Sequence, residues 1–172
     1  MIFNMEELKI PKERISMLVG TKGTTKKKIE KLTNTKIKVI SETGDVIIEG
    51  ESLDAFNCLN IVRAVGRGFN PEIAMNLISE EFILEVINID DFARSKKDLI
   101  RIRARLIGTK GRARENMEEI SKTDIRVYGK TVSIIGKIDN VLVAKQGMVN
   151  LLQGSKHGNV YAYMEKQRPK NS

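Results

Sequence analysis

Apolar and polar residues repeat the same order of periodicities twice along the chain. Residues 6–10 and 82–89 partly alternate apolar and polar positions, which predicts a short strand at the start of each half. Apolar residues at helical spacing follow each strand and predict a short amphipathic helix. These residues are Ile15, Leu18 and Val19 in the first half, and Leu99, Ile102, Leu106 and Ile107 in the second.

A Gly-Thr-Lys-Gly sequence ends each of these helices, and a second helix is predicted directly after it. Two strands joined by turn residues come next, and a longer helix closes each half. In the first half the second helix spans 24–33, the strands 36–41 and 46–49, and the closing helix 53–65. In the second half the corresponding ranges are 112–121, 124–128, 131–135 and 139–152.

The two halves also align residue by residue, as internal repeats do. With Leu18 placed over Leu106, residues 18–39 align with 106–127 without a gap, and nine of the 22 pairs are identical. After a turn that is two residues shorter in the second half, further glycines align. The pairs are Gly50 with Gly136 and Gly68 with Gly154. We therefore predict two homologous modules.

The predicted boundaries leave no flexible linker between the modules. Residues 1–80 form the first module with a short helical extension, and residues 81–166 form the second with a C-terminal helical extension. Residues 167–172 are expected to be a flexible tail. Glycines at 66, 68 and 154 are expected to cut the closing helices. A short helix is predicted over 71–79, packed between the modules, with Asn70 as its cap and Pro71 in the first helical position.

The composition excludes several classes of site. A single cysteine, Cys58, excludes a disulfide framework and multi-thiolate metal sites, and a single histidine, His157, leaves no histidine pair for a metal. We expect Cys58 to be a small buried hydrophobic residue and His157 to start a helix or pack as a polar residue. No metal and no cofactor are predicted. The N-terminus has no signal-peptide pattern, and no apolar stretch is long enough for a membrane span, so we expect a cytoplasmic protein.

Positive charge is concentrated in the second half. The chain has a net charge of +8, but residues 1–80 carry only +1 and residues 81–172 carry +7. Eight basic residues lie between positions 96 and 114 against Asp98 alone, and such one-sign clustering is typical of a phosphate-binding surface. They are Lys96, Lys97, Arg101, Arg103, Arg105, Lys110, Arg112 and Arg114. We expect the second module to dominate affinity for nucleic acid, and the first to contribute less or to bind protein.

The Gly-x-x-Gly sequences suit contact with a nucleic-acid backbone. Glycine allows a tight turn and a close approach because no Cβ stands in the way. The helix that begins after the second glycine offers free amides and a dipole that favour phosphate. A single such sequence is usually a plain connection between helices, but two copies with a central lysine favour a function.

These residues resemble the type I KH domain, and the tandem resembles the archaeal KH-domain ribosome-biogenesis proteins related to the eukaryotic partner-of-Nob small-subunit assembly factor. The resemblance rests on residues 18–23, 106–111, 66–72 and 157–163. It implies an α+β fold of two tandem type I KH domains packed together, each βααββα with a three-stranded antiparallel sheet and three helices. It also implies binding of single-stranded RNA, near the 3′ end of small-subunit rRNA. The implied protein partner is a PIN-domain rRNA endonuclease or another assembly or translation factor.

KH domains clamp about four nucleotides, with the Gly-x-x-Gly loop on the backbone. The residues that the resemblance and the charge pattern assign to RNA are Gly20, Thr21, Lys22, Gly23, Lys26, Lys27, Gly108, Thr109, Lys110, Gly111, Arg112, Arg114, Arg103, Arg105, Ile125 and Val127. The groove floor would come from Ile29, Ile37 and Val39, or Met117, Ile125 and Val127, most of which also suit the core. Many KH domains have an apolar residue where this chain has Lys26 and Arg114, which predicts a more electrostatic groove.

Two other classes of function compete with RNA binding. A magnesium-dependent nuclease would need convergent carboxylates, and the tight acidic pairs of the basic half are sequence neighbours whose side chains diverge. These pairs are Asp90 with Asp91 and Glu118 with Glu119. We therefore expect no enzymatic activity. A protein-binding adaptor of the ribosome or translation machinery, with one RNA-competent module, remains an alternative.

Overall fold

A computed structural model describes residues 2–170 of the chain. It divides into two compact units, the first ending at Glu80 and the second beginning at Glu81. The first unit contains strands β1 (Phe3–Lys9), β2 (Lys36–Ile40) and β3 (Asp45–Glu51). Its helices are α1 (Ile15–Val19), α2 (Thr24–Thr33), α3 (Ser52–Gly66) and α4 (Pro71–Ala74).

The second unit repeats this order of elements. Its strands are β4 (Phe82–Asn88), β5 (Asp124–Tyr128) and β6 (Thr131–Lys137). Its helices are α5 (Lys96–Ile107), α6 (Arg112–Ser121), α7 (Ile138–Leu152) and α8 (His157–Gln167). Each unit is therefore βααββα with a helical extension, as predicted. Residues 171 and 172 of the predicted flexible tail lie outside the described residues, and Gln167, predicted to start that tail, is the last residue of α8.

Each unit is built on a three-stranded antiparallel sheet whose last strand lies in the middle. The order is β1-β3-β2 in the first unit and β4-β6-β5 in the second. Ile37 pairs with Ile48, and Ile125 pairs with Ile134 at the aligned position. These side chains are buried on the face of the sheet that the helices cover. The alternation of apolar and lysine residues in β2 places the lysines on the exposed face.

A buried pair of hydroxyl groups joins the second helix to the following strand in both units. Thr33 Oγ1 donates to the carbonyl of Ile29 at 2.8 Å and lies 2.7 Å from Thr35 Oγ1. Ser121 and Thr123 repeat the arrangement, with Ser121 Oγ donating to the carbonyl of Met117 at 2.6 Å. This pairing fixes the end of α2 or α6 at the start of β2 or β5 and so positions the Gly-x-x-Gly end of the helix.

Several element bounds match the prediction, and the differences have local causes. The bounds of α2, α6 and β5 are as predicted. Helix α5 has 12 residues and α1 has five, although similar short helices were predicted. Ser95 Oγ accepts the amide of Asp98 at 3.1 Å and caps α5, which begins at Lys96, about two turns before the position that aligns with the start of α1. Pro11 stands before a 3-10 turn at Lys12–Arg14 and delays α1.

Glycine has different roles at the ends of the closing helices. Gly66 does not cut α3 but is its last residue, where an added Cβ would lie 2.7 Å from Ile10 Cγ2. Gly68 and Gly154 have φ of 101° and 105°, so the left-handed turn comes after each helix. The predicted cap is confirmed, because Asn70 Oδ1 accepts the amide of Ile73 at 3.0 Å. Helix α4 packs against α3.

No helix within residues 2–170 is long and apolar enough to cross a bilayer. Cys58 is fully buried on α3, as predicted, and burial raises the pKa of its thiol. His157 begins α8, and its Nε2 lies 2.9 Å from the carbonyl oxygen of Arg105. The prediction for His157 is thus confirmed in both its parts, since it starts a helix and packs as a polar residue.

Candidate nucleic-acid interface

The two Gly-Thr-Lys-Gly loops have nearly identical backbones. In each loop the first glycine, the lysine and the second glycine all have positive φ. In the first loop φ is 75° at Gly20, 54° at Lys22 and 74° at Gly23; in the second it is 75° at Gly108, 56° at Lys110 and 75° at Gly111. The amide of the second glycine donates to the carbonyl of the first at 3.2 Å in both loops. The repeated sequence therefore specifies one loop conformation twice.

The two glycines of each loop are required for different reasons. A Cβ on Gly108 would lie 2.7 Å from the backbone nitrogen of Ala113, and one on Gly20 would lie 2.9 Å from the backbone nitrogen of Thr25. A Cβ on Gly23 would meet nothing within 4 Å, and one on Gly111 would make only ordinary contacts at 3.8 Å. The first glycine thus serves the fold, whereas the second leaves open space beside the loop.

Helices α2 and α6 begin in these loops without a side-chain cap. Their N-cap residues are Gly23 and Gly111, and no side chain of residues 2–170 caps them. The amides of Thr24 and Arg112 donate to the loop carbonyls of Thr21 and Thr109, so the amides that remain for a ligand are those that follow in the first turn. Lys22 and Lys110 are exposed beside those amides, and Lys27 and Arg112 are exposed on the first turn that follows. Free amides, a helix dipole and cations at one point favour a phosphate group.

A cavity beside the first loop continues this surface. It has a volume of about 580 Å³ and is lined by α1, the loop and the turn after β2. Ile15 and Val19 form its helical wall, and Gly20, Thr21 and Ser41 lie around it. Such a cavity leaves room for bases beside a backbone held at the loop. The offset that aligns Leu18 with Leu106 places Arg103 and Ile107 of α5 at the positions of Ile15 and Val19.

Comparison with known proteins identifies the units. Residues 83–169 match a family model described as a eukaryotic-type KH domain, KH-domain type I, whose name specifies the second KH domain of PNO1. Residues 5–64 match the general KH-domain model. The chain belongs to the PNO1/Dim2 family of tandem KH proteins. The predicted fold and family are thereby confirmed.

Relatives of this KH protein occur in archaea and eukaryotes. A KH domain-containing protein of Methanocaldococcus jannaschii is 41% identical over 97% of this chain and 75% of its own length. The RNA-binding protein PNO1 of Oryzias latipes is 30% identical over 76% of this chain and 52% of its own. The pre-rRNA-processing protein PNO1 of Yarrowia lipolytica is 31% identical over 59% of this chain and 40% of its own. The chain thus spans about half or less of these PNO1 relatives.

Solved structures extend the similarity to three dimensions. The crystal structure of Dim2p from Pyrococcus horikoshii is 46% identical, with a TM-score of 0.88 over 95% of this chain and 99% of that one. A crystal structure of the a/eIF2alpha-aDim2p-rRNA complex from the same organism gives the same identity and TM-score, over 95% of this chain and 93% of that one.

The cations that replace an apolar residue of many KH domains are paired within each unit. Lys26 Nζ lies 3.3 Å from Glu30, and Arg114 Nη1 lies 2.6 Å from Glu118. The carboxylates of these two glutamates also accept the first buried amide of the following strand, from Ile37 at 2.8 Å and from Ile125 at 2.9 Å. The expected electrostatic groove is corrected here, because an internal carboxylate balances each cation.

One further residue assigned to RNA has a structural role. Ile125 has no exposed surface and lies in the core of the second KH unit, so it does not form a groove floor that RNA can contact. Val127, two residues later, is half-buried and packs at the edge of that core, and its assignment to RNA stays a prediction. The alternation of β5 predicted the inward face correctly but did not reveal that α6 covers it.

Arg105, which the charge pattern assigned to RNA, is instead engaged in hydrogen bonds within the second unit. Its Nη1 donates to the carbonyl of Leu151 at 3.0 Å and its Nη2 to the carbonyl of Ser155 at 2.7 Å, at the end of α7. In the first unit Arg14 donates to the carbonyls of Val65 and Phe69, both at 2.8 Å. These arginines add charged donors to carbonyls at the helix C-terminus and in the turn after it, where the carbonyls of Val65 and Leu151 also accept the amides of Gly68 and Gly154. Arg105 therefore stabilises the fold and is not part of a phosphate track.

A pair of arginine substitutions separates these roles. Arg105→Ala removes two charge-assisted hydrogen bonds, and we expect it to destabilise the protein by about 2 kcal/mol while leaving RNA affinity almost unchanged. Arg112→Ala removes the same charge from an exposed position beside the loop, so it is expected to weaken RNA binding without lowering the melting temperature. Thermal unfolding and RNA titration of both variants measure the contrast. A loss of RNA affinity in Arg105→Ala at a temperature where it is folded would contradict the assignment.

Proposed function

We propose that this chain is a non-catalytic, single-stranded RNA-binding protein that acts in maturation of small-subunit rRNA and binds near its 3′ end through the Gly-x-x-Gly loops. The observation that carries the proposal is the pair of uncapped helix N-termini at Gly23 and Gly111, each with an exposed lysine. The rRNA in the complex of the Pyrococcus horikoshii protein and the pre-rRNA-processing name of the Yarrowia lipolytica relative support this choice of RNA.

The geometry supports a division of labour within each unit. The phosphates would bind the first-turn amides of α2 and α6, with Lys22, Lys110 and Arg112 supplying charge. Gly23 and Gly111 would let the sugar-phosphate chain come close, because a side chain there would occupy the open space. The bases would lie along α1 or α5, as the cavity beside Ile15 and Val19 suggests. The second unit would bind more tightly, because it carries most of the net positive charge.

The acidic pairs of the basic half favour a binding protein over a nuclease. Glu118 is engaged by Arg114, by Arg126 at 3.1 Å and by the amide of Ile125, so its carboxylate is part of the internal framework. Asp90 lies 3.3 Å from the ammonium group of Lys130. These contacts give one carboxylate of each acidic pair a structural partner and support the proposal of a non-catalytic protein.

Binding of a protein partner is a second candidate function for the first unit. Phe3 and Met5 of β1 are 72% and 65% exposed, and Leu53 and Phe56 of α3 are 66% and 54% exposed. Exposed apolar residues of this size are typical of interaction surfaces. An assembly or translation factor is a suitable partner, since the Pyrococcus horikoshii relative was crystallised with a/eIF2alpha. A PIN-domain rRNA endonuclease is the other partner that the family resemblance implies.

Fluorescence anisotropy with three RNAs tests the proposed function. The first is a single strand that matches the 3′ end of the organism's own small-subunit rRNA, the second is a scrambled strand of equal length, and the third is the matching duplex. We expect the matching single strand to bind most tightly, with a modest dependence on salt. Readout of bases in a groove adds sequence preference to the salt-dependent phosphate contacts.

The competing outcomes are distinct. Equal binding of all three RNAs, with affinity falling steeply as salt rises, would indicate only a basic surface and would contradict groove binding. No binding of any RNA by the intact chain would leave the adaptor function as the better hypothesis. Replacement of Phe3 and Phe56 by serine tests the apolar surface separately, and RNA affinity is expected to be unchanged in that variant.

A further inference from the structure

Arg103 of α5 has a buried polar atom without a partner. Its side chain is half-buried, and its Nε is inaccessible to solvent and has no hydrogen-bond partner among the described residues. Arginine is charged at every physiological pH and has only donors. A sheltered donor without an acceptor destabilises a fold, so a folded protein normally pairs it or removes it.

Other arginines of the same basic run have internal partners. Arg101 Nη2 lies 2.6 Å from Asp98, Arg105 holds two carbonyls at the end of α7, and Arg114 is paired with Glu118. The hydrogen bond from the amide of Arg94 and that from Arg101 hold the pKa of the Asp98 carboxyl below its usual value. Arg112 has no ion pair within residues 2–170 and is exposed to solvent. Within residues 96–114, Arg103 is the arginine that is sheltered and unsatisfied.

The alignment of the two units places Arg103 at the position that forms the cavity wall in the first unit. It lies one turn before Ile107 on α5, so the two side chains share one face of the helix. The aligned residues of the first unit, Ile15 and Val19, form the wall of the cavity beside the first loop. Ile102 and Leu106 are the buried core residues of α5, and Leu99, one turn before Arg103, packs at the edge of that core, so Arg103 lies at the border between the core and the surface.

We propose that Arg103 selects guanine at one position of the RNA bound by the second KH unit. This inference rests on the proposed RNA-binding function. The two outer nitrogens of Arg103, Nη1 and Nη2, are not enclosed as Nε is and can donate two parallel hydrogen bonds. The O6 and N7 atoms of guanine present two acceptors at matching spacing. Bases splayed from a single strand are read on this edge as well as on the Watson–Crick edge. The first unit has Ile15 at the same position and therefore lacks this selectivity.

A base is the better ligand for Arg103 than a phosphate. The phosphate sites of the unit are at the loop, where amides, Lys110 and Arg112 are exposed. Arg103 lies before that loop in the helix and is sheltered, so its charge is poorly placed for long-range attraction. Because Arg103 aligns with the residue that lines the space beside the first loop, a base with directed acceptors is the part of the RNA within its reach.

The test uses the full chain and a library of RNA octamers with all four bases at every position. Wild-type protein is compared with Arg103→Ile, which installs the residue of the first unit. Arg101→Ile removes the same charge from the opposite face of α5 and is the matched control. We expect wild type and Arg101→Ile to enrich guanine at one position, and Arg103→Ile to lose that enrichment.

A direct binding measurement follows with the octamer that wild type enriches most. Replacing its selected guanine by 7-deazaguanine removes the N7 acceptor and is expected to weaken binding to wild type by roughly tenfold, and binding to Arg103→Ile by very little. The melting temperature of Arg103→Ile is expected to equal or exceed that of wild type, because an unsatisfied donor is removed. Arg103→Lys keeps the charge without the fork and is expected to bind RNA without the guanine preference.

The possible results distinguish base selection by Arg103 from a phosphate contact and from a structural role. Equal guanine enrichment in wild type and Arg103→Ile would overturn the inference while leaving RNA binding in place. A uniform loss of affinity for all octamers, with a smaller salt dependence, would identify a phosphate contact and also overturn it. A clear fall in melting temperature would identify a structural role. No enrichment or binding by wild type would mean that the proposed function itself had failed.

Discussion

Aspartate at both Thr109 and Lys110 is expected to lower RNA affinity by about two orders of magnitude, since each lost or repelled phosphate contact costs about 1.5–3 kcal/mol. Two negative charges would then face the uncapped N-terminus of α6, where the phosphate is proposed to bind. Aspartate at Thr21 and Lys22 is expected to cause a smaller loss, because the first unit carries a net charge of only +1. The variants keep their fold, because aspartate tolerates the left-handed backbone that the lysine adopts.

Anisotropy titration of each loop variant against single-stranded RNA measures this difference. Lys122→Asp provides a matched control, since Lys122 ends the same helix with a φ of 55°, close to the 56° of Lys110. It makes the same lysine-to-aspartate change as Lys110→Asp, but away from the proposed phosphate site, and we expect only a small loss of affinity. Unchanged RNA binding in a variant with aspartates in both loops would exclude the Gly-x-x-Gly assignment.

Alanine at the two glycines of one loop is expected to separate folding from binding. Gly108 has φ 75° and ψ 173°, a region that is nearly restricted to glycine, and its Cβ would overlap the backbone of Ala113. Gly108→Ala is therefore expected to destabilise the second unit by about 3 kcal/mol. That corresponds to a fall in melting temperature of more than about 10 °C for a unit of this size.

Gly111→Ala is expected to lower RNA affinity more than it lowers the stability of the second unit. Gly111 lies in the ordinary left-handed region, with φ 75° and ψ 11°, so alanine costs only about 1 kcal/mol there. The new methyl group would occupy the space through which the RNA backbone approaches, and affinity is expected to fall by roughly tenfold, the equivalent of one contact. Calorimetry and RNA titration at 25 °C measure both quantities. Similar melting temperatures for the two variants would contradict the division of roles between the glycines.

The sequence predicted the elements best where periodicity, capping and repetition agreed. Helices α2 and α6 have the predicted bounds because each begins at a glycine of the loop and ends at a left-handed residue, Asn34 or Lys122. Repetition also identified the loops as functional candidates, since neither loop is distinctive alone. The family followed from these loops together with the order of elements.

The partners of charged side chains could not be predicted in the same way. Arg105 bonds to residues 46 and 50 positions away, and no local pattern indicates such a contact. Arg114 was predicted to contact RNA because the pattern of charges does not show its internal partner. That partner is Glu118, which is held in place because it also accepts the strand amide of Ile125. The partial burial of Arg103 could not be predicted either, because by charge alone it does not differ from the exposed basic residues around it. The number of basic residues can be counted from the sequence. Only the fold distinguishes the basic residues that are available to RNA from those that bond within the protein.

The arginines that bond to carbonyls at the ends of α3 and α7 show how the two copies of the KH unit diverged. Val65 and Leu151 are aligned, as are Phe69 and Ser155, yet the arginines that bond to their carbonyls are not, because Arg14 aligns with Ile102 and Arg105 with Met17. Both copies retain the carbonyl acceptors and an arginine that donates to them. The sequence position that supplies this arginine differs between the copies. A chimera that exchanged α1 for α5 would therefore either double this bond or delete it, so half-domains of the two copies are not interchangeable parts.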